Sequence, residues 1–94
     1  MKKLSLKMEK ERKIILEKLT EYMEGEEWSR ALVYEALEDE WYKQNSEIKK
    51  LSPDDYLLII QYDEGKLYFC FSIDREDDMI TGVSSVDEVL KVIY

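Results

Sequence analysis

The apolar positions of this chain follow a helical period first and a strand period later. From about residue 6 to 24, Met8, Ile15, Leu19 and Tyr22 step by seven, four and three, and Ile14, Leu16 and Met23 widen that face. Lys10, Lys13, Glu17, Lys18 and Glu21 fall mostly outside it. The spacing predicts a first helix, stopped at Gly25, where a left-handed residue commonly ends one. A second helix is predicted over about 27–44, with Glu26 and Glu27 near its positive dipole end. Its apolar residues, from Trp28 through Ala31, Leu32, Val33, Tyr34, Ala36 and Leu37 to Trp41 and Tyr42, cover most of the circumference. Such a helix either lies deep in the fold or keeps one flank for a partner.

Asn45 to Asp55 reads as a connector with a short helical turn at Glu47–Leu51, and Ser52-Pro53-Asp54-Asp55 as a turn. Beyond it the chain becomes β-branched and aromatic. Residues 56–62 and 66–73 predict two strands joined by a three-residue turn, Asp63-Glu64-Gly65, with the glycine where a positive φ is needed. Pairing Tyr62 with Lys66 would gather Leu57, Ile59, Leu67, Phe69, Phe71 and Ile73 on one face, the expected core. Tyr56, Leu58, Ile60, Tyr62, Tyr68 and Cys70 would then line the other face. Met79–Val83 predicts a short third strand. Ser85-Val86-Asp87-Glu88 is a capping box, followed by Val89, Leu90 and Ile93 as the apolar face of a closing helix with Val86.

These elements predict an α+β fold in the order α-α-β-β-β-α, with the helices on one face of a short antiparallel sheet. Ninety-four residues suit one domain spanning 1–94, with 1–5 as a basic lead-in. No apolar run approaches the ~20 residues of a membrane span, and no apolar stretch follows the positive start. A cytoplasmic protein is expected. The single cysteine, Cys70, agrees, since it offers neither a disulfide framework nor a thiol pair for zinc.

Charge sharpens the picture. There are 22 acidic and 14 basic residues, a net charge of −8, unevenly spread. Residues 1–18 carry seven bases and three acids, whereas residues 19–94 carry nineteen acids and seven bases. The basic start (Lys2, Lys3, Lys7, Lys10, Arg12 and Lys13) reads as a solvated face balancing an acidic body. The overall charge opposes a direct approach to nucleic acid or anionic lipid.

Chemistry is excluded more firmly than it is suggested. Without histidine there is no imidazole base at neutral pH, no Ser-His-Asp or Cys-His arrangement and no His-ligated metal. Three glycines, Gly25, Gly65 and Gly82, cannot build a phosphate loop. Asp74, Glu76, Asp77 and Asp78 have the density of a Ca²⁺ or Mg²⁺ site but lack the glycine and distal glutamate of an EF-hand loop, so a solvated turn is preferred. Cys70, mid-strand among aromatics, reads as a packed thiol. No catalytic residue, metal ligand or cofactor is assigned, and no enzyme is expected.

What remains is surface. The expected function is a small acidic, non-enzymatic binding protein that occupies a surface of a larger basic, nucleic-acid-binding protein. A concrete version is an inhibitor that imitates nucleic acid, as small mobile-element proteins do against host defence systems. Glu35, Glu38, Asp39 and Glu40, with Asp74, Glu76, Asp77 and Asp78, are the expected charged contacts. Trp28, Tyr34 and Tyr42 are the expected exposed anchors. One alternative is a homo-oligomeric structural or regulatory module, a homodimer joined through Tyr56, Leu58, Ile60 and Tyr68 or the spare flank of the second helix. Another is an ion- or small-molecule-binding domain.

Overall fold

Ser5 opens the first helix by accepting a hydrogen bond from the Met8 amide at 3.2 Å, and α1 (Leu6–Met23) runs for five turns behind it. In this computed structural model, which describes residues 5–86, α1 buries Met8, Ile15, Leu19 and Met23. Tyr22 and Ile14, assigned to that face from their spacing, stand about half exposed at 48% and 50%. Gly25 follows with φ +86°, the left-handed turn expected of it. The chain then runs along the sheet edge, where Gly25 donates to the Ile80 carbonyl and Ile80 to the Glu26 carbonyl, both at 2.8 Å.

That edge pairing displaces the expected start of the second helix. Ser29 caps α2 (Arg30–Leu37) by accepting from Leu32 N. The helix ends at Glu38, which adopts φ +69°, and a separate four-residue α3 (Trp41–Gln44) follows. The helix expected over 27–44 is therefore two helices. Glu38, Asp39 and Glu40 crowd negative charge at a helix C-terminus, where the dipole disfavours it. Asp39 Oδ1 instead accepts from Trp41 N, an Asx-type turn that leads into α3. Holding a glutamate in the left-handed region costs about 1 kcal/mol, and its exposed ion pair contributes little. Glu38→Gly is accordingly expected to raise stability by about 0.5–1 kcal/mol in urea melts. A destabilised variant would contradict the assignment of backbone strain to this position.

The connector expected over 45–55 is a strand, β1 (Ser46–Ser52), rather than a loop with a helical turn. Only Ile48 within it is buried, so β1 leaves almost no apolar signature, and its lysines suit an edge strand. Pro53-Asp54 turns the chain as expected, and Ser52 Oγ, Asp54 N and Asp55 Oδ2 share hydrogen bonds across it. β2 (Asp55–Tyr62), β3 (Gly65–Asp74) and β4 (Met79–Val86) complete an antiparallel sheet in the order β1-β2-β3-β4. The architecture is α+β, in the order α-α-α-β-β-β-β over the described residues, not α-α-β-β-β-α.

The β2–β3 hairpin differs from expectation by one residue. Tyr62 pairs with Gly65, not Lys66, so the turn is the two residues Asp63-Glu64 and Gly65 takes φ +146° inside the strand. A single-residue slip turns every side chain of one strand to the other face. Leu58 and Ile60, not Leu57 and Ile59, therefore join Leu67, Phe69, Phe71 and Ile73 in the core beneath α1 and α2. Leu57 and Ile59 point to the opposite face and are buried there as well, which makes β2 apolar on both sides. Tyr56, Leu58 and Ile60 are thus covered by the helices and are not the open surface on which a homodimer was expected to form.

β4 is longer than the expected Met79–Val83 and carries a bulge. Ser72 pairs with Gly82 and Ile73 with Ile80, which leaves Thr81 as an extra residue. Without it, Ile80 and Val83 would face opposite sides. With it, Ile80 is buried and Val83 packs on the same core. Ser85 and Val86 continue β4 instead of capping a helix, and the remainder of the expected closing helix lies outside the described residues. Among the described residues no helix is long and apolar enough to cross a membrane.

Candidate functional site

Ala31, Tyr34, Glu35 and Glu38 fall at i, i+3, i+4 and i+7 along α2 and its cap, one stripe of the helix. The left-handed turn at Glu38 folds the chain back, so that Asp39, Glu40 and Lys43 close the far side of a shallow concavity of about 230 Å³. Among the described residues that line it, four of seven are carboxylates and Lys43 is the one cation. Glu35, Glu38, Asp39 and Glu40 are all exposed. Every one of the expected charged contacts on the second helix is therefore gathered at a single lip.

The lip is tied to its surroundings by polar contacts. Tyr22 donates to Glu35 Oε1 at 3.1 Å, and that carboxylate holds the Tyr22 phenol above its ordinary pKa. Lys18 lies 3.7 Å from Glu38, and Lys43 lies 3.9 Å from Glu40. These pairs are exposed and contribute little to stability. Beneath them the Tyr34 hydroxyl shares a hydrogen bond with Ser46 Oγ at 3.0 Å, and Ser46 in turn donates to the Tyr42 carbonyl. The floor is anchored to β1 while the acids remain in water.

The second expected cluster lies elsewhere. Trp28 N donates to the Asp78 carbonyl at 2.8 Å, which places the Asp74–Asp78 turn beside the start of α2. Glu38–Glu40 follow the end of α2, roughly 12 Å away along its axis for eight residues at ~1.5 Å each. The two acidic groups flank α2 and do not merge into one patch. Asp74 and Asp77 direct Oδ1 atoms at the amides of Glu76 and Met79, and Arg75 pairs with Asp54 at 2.8 Å. Among the described residues no three carboxylates converge in a way that could hold a metal ion.

The aromatic anchors are not exposed as expected. Trp28 is half-buried, stacked on Tyr56 with ring centroids 4.2 Å apart and tilted against Phe71. Tyr34 and Tyr42 are half-buried and also pack on the core. Trp28 precedes α2, Tyr34 lies within it and Tyr42 in α3, and each packs against the helix-covered face of the sheet. Among the described residues, the aromatics that face solvent are Tyr22, at 48%, and Trp41, at 40%. Both border the lip, through Glu35 and through Asp39. In one unbroken helix Trp41 would follow the buried Leu37 by four residues, on the same face; the break at Glu38 turns it to solvent.

Tyr62 sits below Trp41, with ring centroids 5.2 Å apart, and its hydroxyl is buried with no hydrogen-bond partner among the described residues. Burial pushes its pKa far above the usual tyrosine value, and the neighbouring Tyr42 and Glu11 add to the shift. Tyr42 is raised too, chiefly by burial. Both phenols stay neutral in the fold at pH values where the unfolded chain ionises, from about pH 10. Above that pH the unfolded state holds fewer protons, so stability present below it is lost as pH rises. Thermal melts are expected to be flat up to about pH 9.5 and to fall steeply beyond it. Tyr62→Phe is expected to fall less steeply and to be about as stable at neutral pH, or up to ~1 kcal/mol more so, since an unpaired hydroxyl is removed. A variant with the wild-type alkaline slope would refute the role given to Tyr62. Burial also raises the Cys70 thiol, with a contribution from Asp55, which keeps it protonated further into the alkaline range.

No protein-family model, curated protein sequence or solved structure matches this chain.

Proposed function

We propose that this protein is a non-enzymatic acidic binding module that occupies a basic surface of a larger protein. Its concrete form is an inhibitor that presents carboxylates where a nucleic acid would present phosphates. The observation that supports this reading is the lip itself. Glu35, Glu38, Asp39 and Glu40 converge on one open concavity, carried by a chain of net charge −8. Carboxylates held on a short capped helix and anchored through Tyr34 to β1 can meet lysines and arginines at little ordering cost. The half-exposed Trp41 and Tyr22 rings beside them supply apolar contact area of the kind that concentrates interface energy. At about 230 Å³ the concavity is smaller than the usual range of small-molecule sites, which favours a side chain of a protein partner as its occupant.

The test is capture from native lysate at low and high salt, with mass spectrometry of the eluate. The wild-type protein is expected to retain a basic protein in stoichiometric amount and to release it at high salt, because exposed ion pairs are screened. A variant combining Glu35→Lys, Glu38→Lys, Asp39→Lys and Glu40→Lys, shown to be folded by circular dichroism, is expected to lose that capture. Undiminished capture by the folded variant would overturn the assignment of the lip.

A further inference from the structure

The fold treats the two edges of the sheet differently. At the β4 edge the chain between α1 and α2 lies alongside, with Gly25 donating to Ile80, Ile80 to Glu26 and Trp28 to Asp78, each at 2.8 Å. Among the described residues no segment pairs with the outer edge of β1. The ladder fixes the direction of its backbone groups. The Gln61 amide donates to the Asn45 carbonyl at 2.7 Å, so position 45 faces β2, and an antiparallel ladder alternates from there. Ser46, Ile48 and Lys50 therefore turn their N–H and C=O groups away from the sheet. The Ile48 carbonyl is met from outside by Arg30 Nη1 at 3.4 Å, a long contact from an exposed residue. An edge with open backbone groups is a template for another strand.

Side-chain charge decides which strand fits. Two β1 strands can pair about a two-fold axis only in registers that set the outward groups of one against those of the other. A pairing centred on Glu47 would oppose Glu47 to its own copy, and one centred on Lys49 would oppose two lysines. Centred on Ile48, the pairing sets Glu47 opposite Lys49 on both sides of the axis and Ser46 opposite Lys50. Opposite charges directly across a strand pair stabilise it, and like charges oppose it. Glu47 and Lys49 are both exposed, and neither has an ion-pair partner among the described residues. The lysines that guard this edge against indiscriminate pairing are thus offset in one register of the strand with itself.

We propose that two copies of this chain pair through β1, antiparallel and centred on Ile48, so that two four-stranded sheets become one continuous sheet. Ser46, Ile48 and Lys50 exchange backbone hydrogen bonds with their counterparts, and Arg30 swings off the Ile48 carbonyl. Residues directly opposite one another project to the same face, so both helix layers lie on one side of the joint sheet. The acidic lips of the two copies then offer a partner two points of attachment. The pairing concerns β1 alone and is independent of the function proposed for the lip.

Sedimentation equilibrium of the full chain over a concentration series tests it, with a reversible monomer–dimer equilibrium as the expected result. Glu47→Lys and Lys49→Glu each set like charges opposite twice per dimer, and each is expected to weaken association about tenfold. The combined Glu47→Lys and Lys49→Glu variant restores opposite charges and is expected to return the dissociation constant to within about threefold of wild type. All three are expected to keep the wild-type circular dichroism, since both positions are exposed. A wild-type chain that stays monomeric up to about 1 mM would overturn the proposal and leave the edge to a strand of another protein. Dimers that ignore the single reversals, or that the combined variant does not restore, would overturn it by placing the contact elsewhere or in another register.

Discussion

Phe69→Ala is expected to lower the free energy of unfolding by about 3–5 kcal/mol, a large part of what a domain of this size possesses. Phe69 is fully buried at the centre of β3, opposite Leu58, and belongs to the cluster formed with Ile15, Leu19 and Val33. Removing its ring leaves a cavity between a sheet and two helices that cannot readily close over it, because the strands are held by their ladders. Urea melts followed by circular dichroism measure the loss. Tyr68→Ala on the same strand provides the contrast, since Tyr68 is only half-buried, on the other face and outside that cluster. Equal losses at the two positions would mean that the sheet does not have one dominant helix-covered face, and a loss below ~1 kcal/mol at Phe69 would contradict the core as described.

Trp28→Ala is expected to cost about 2–3 kcal/mol, below the range for a fully buried aromatic because Trp28 is half-buried. The ring stacks on Tyr56 with an interplanar angle of 16° and touches Phe71, so it seals the end of the core where α2 begins. The backbone amide at this position, which donates to the Asp78 carbonyl, is kept in the variant, so the loss reports on the ring. Tryptophan fluorescence gives an independent reading. The variant retains only Trp41, 40% exposed, so its native emission is expected at longer wavelength than wild type. A variant of unchanged stability would return Trp28 to the role of a free interface anchor.

Much of this protein was legible from residue order alone. The spacing of Met8, Ile15 and Leu19 marked α1, and Gly25 marked its end. The β-branched and aromatic run from Tyr56 to Ile73 marked the hairpin, and the proline turn at residues 52–55 was recognisable because proline and flanking polar side chains act locally. The acids at Glu35, Glu38, Asp39 and Glu40 stood out because helical spacing places several of them together whatever the tertiary arrangement.

Other features depended on distant partners. β1 leaves little trace in residue order because an edge strand with one buried side chain needs only Ile48 to be apolar, and its ladder to β2 is a backbone interaction that leaves no mark in side-chain type. The hairpin register was ambiguous because β2 is apolar at four consecutive positions, so either alternate set could serve as the core. The two-residue turn and the helices overhead chose Leu58 and Ile60. The bulge at Thr81 and the break at Glu38 are one-residue adjustments whose benefit lies in contacts far along the chain. Tertiary packing also decided which aromatics face water, drawing Trp28, Tyr34 and Tyr42 inward and leaving Trp41 and Tyr22 beside the acids. Local propensity and period follow from neighbours in sequence, whereas register, facing and the separation of the two acidic groups follow from which surfaces the folded chain has to bury.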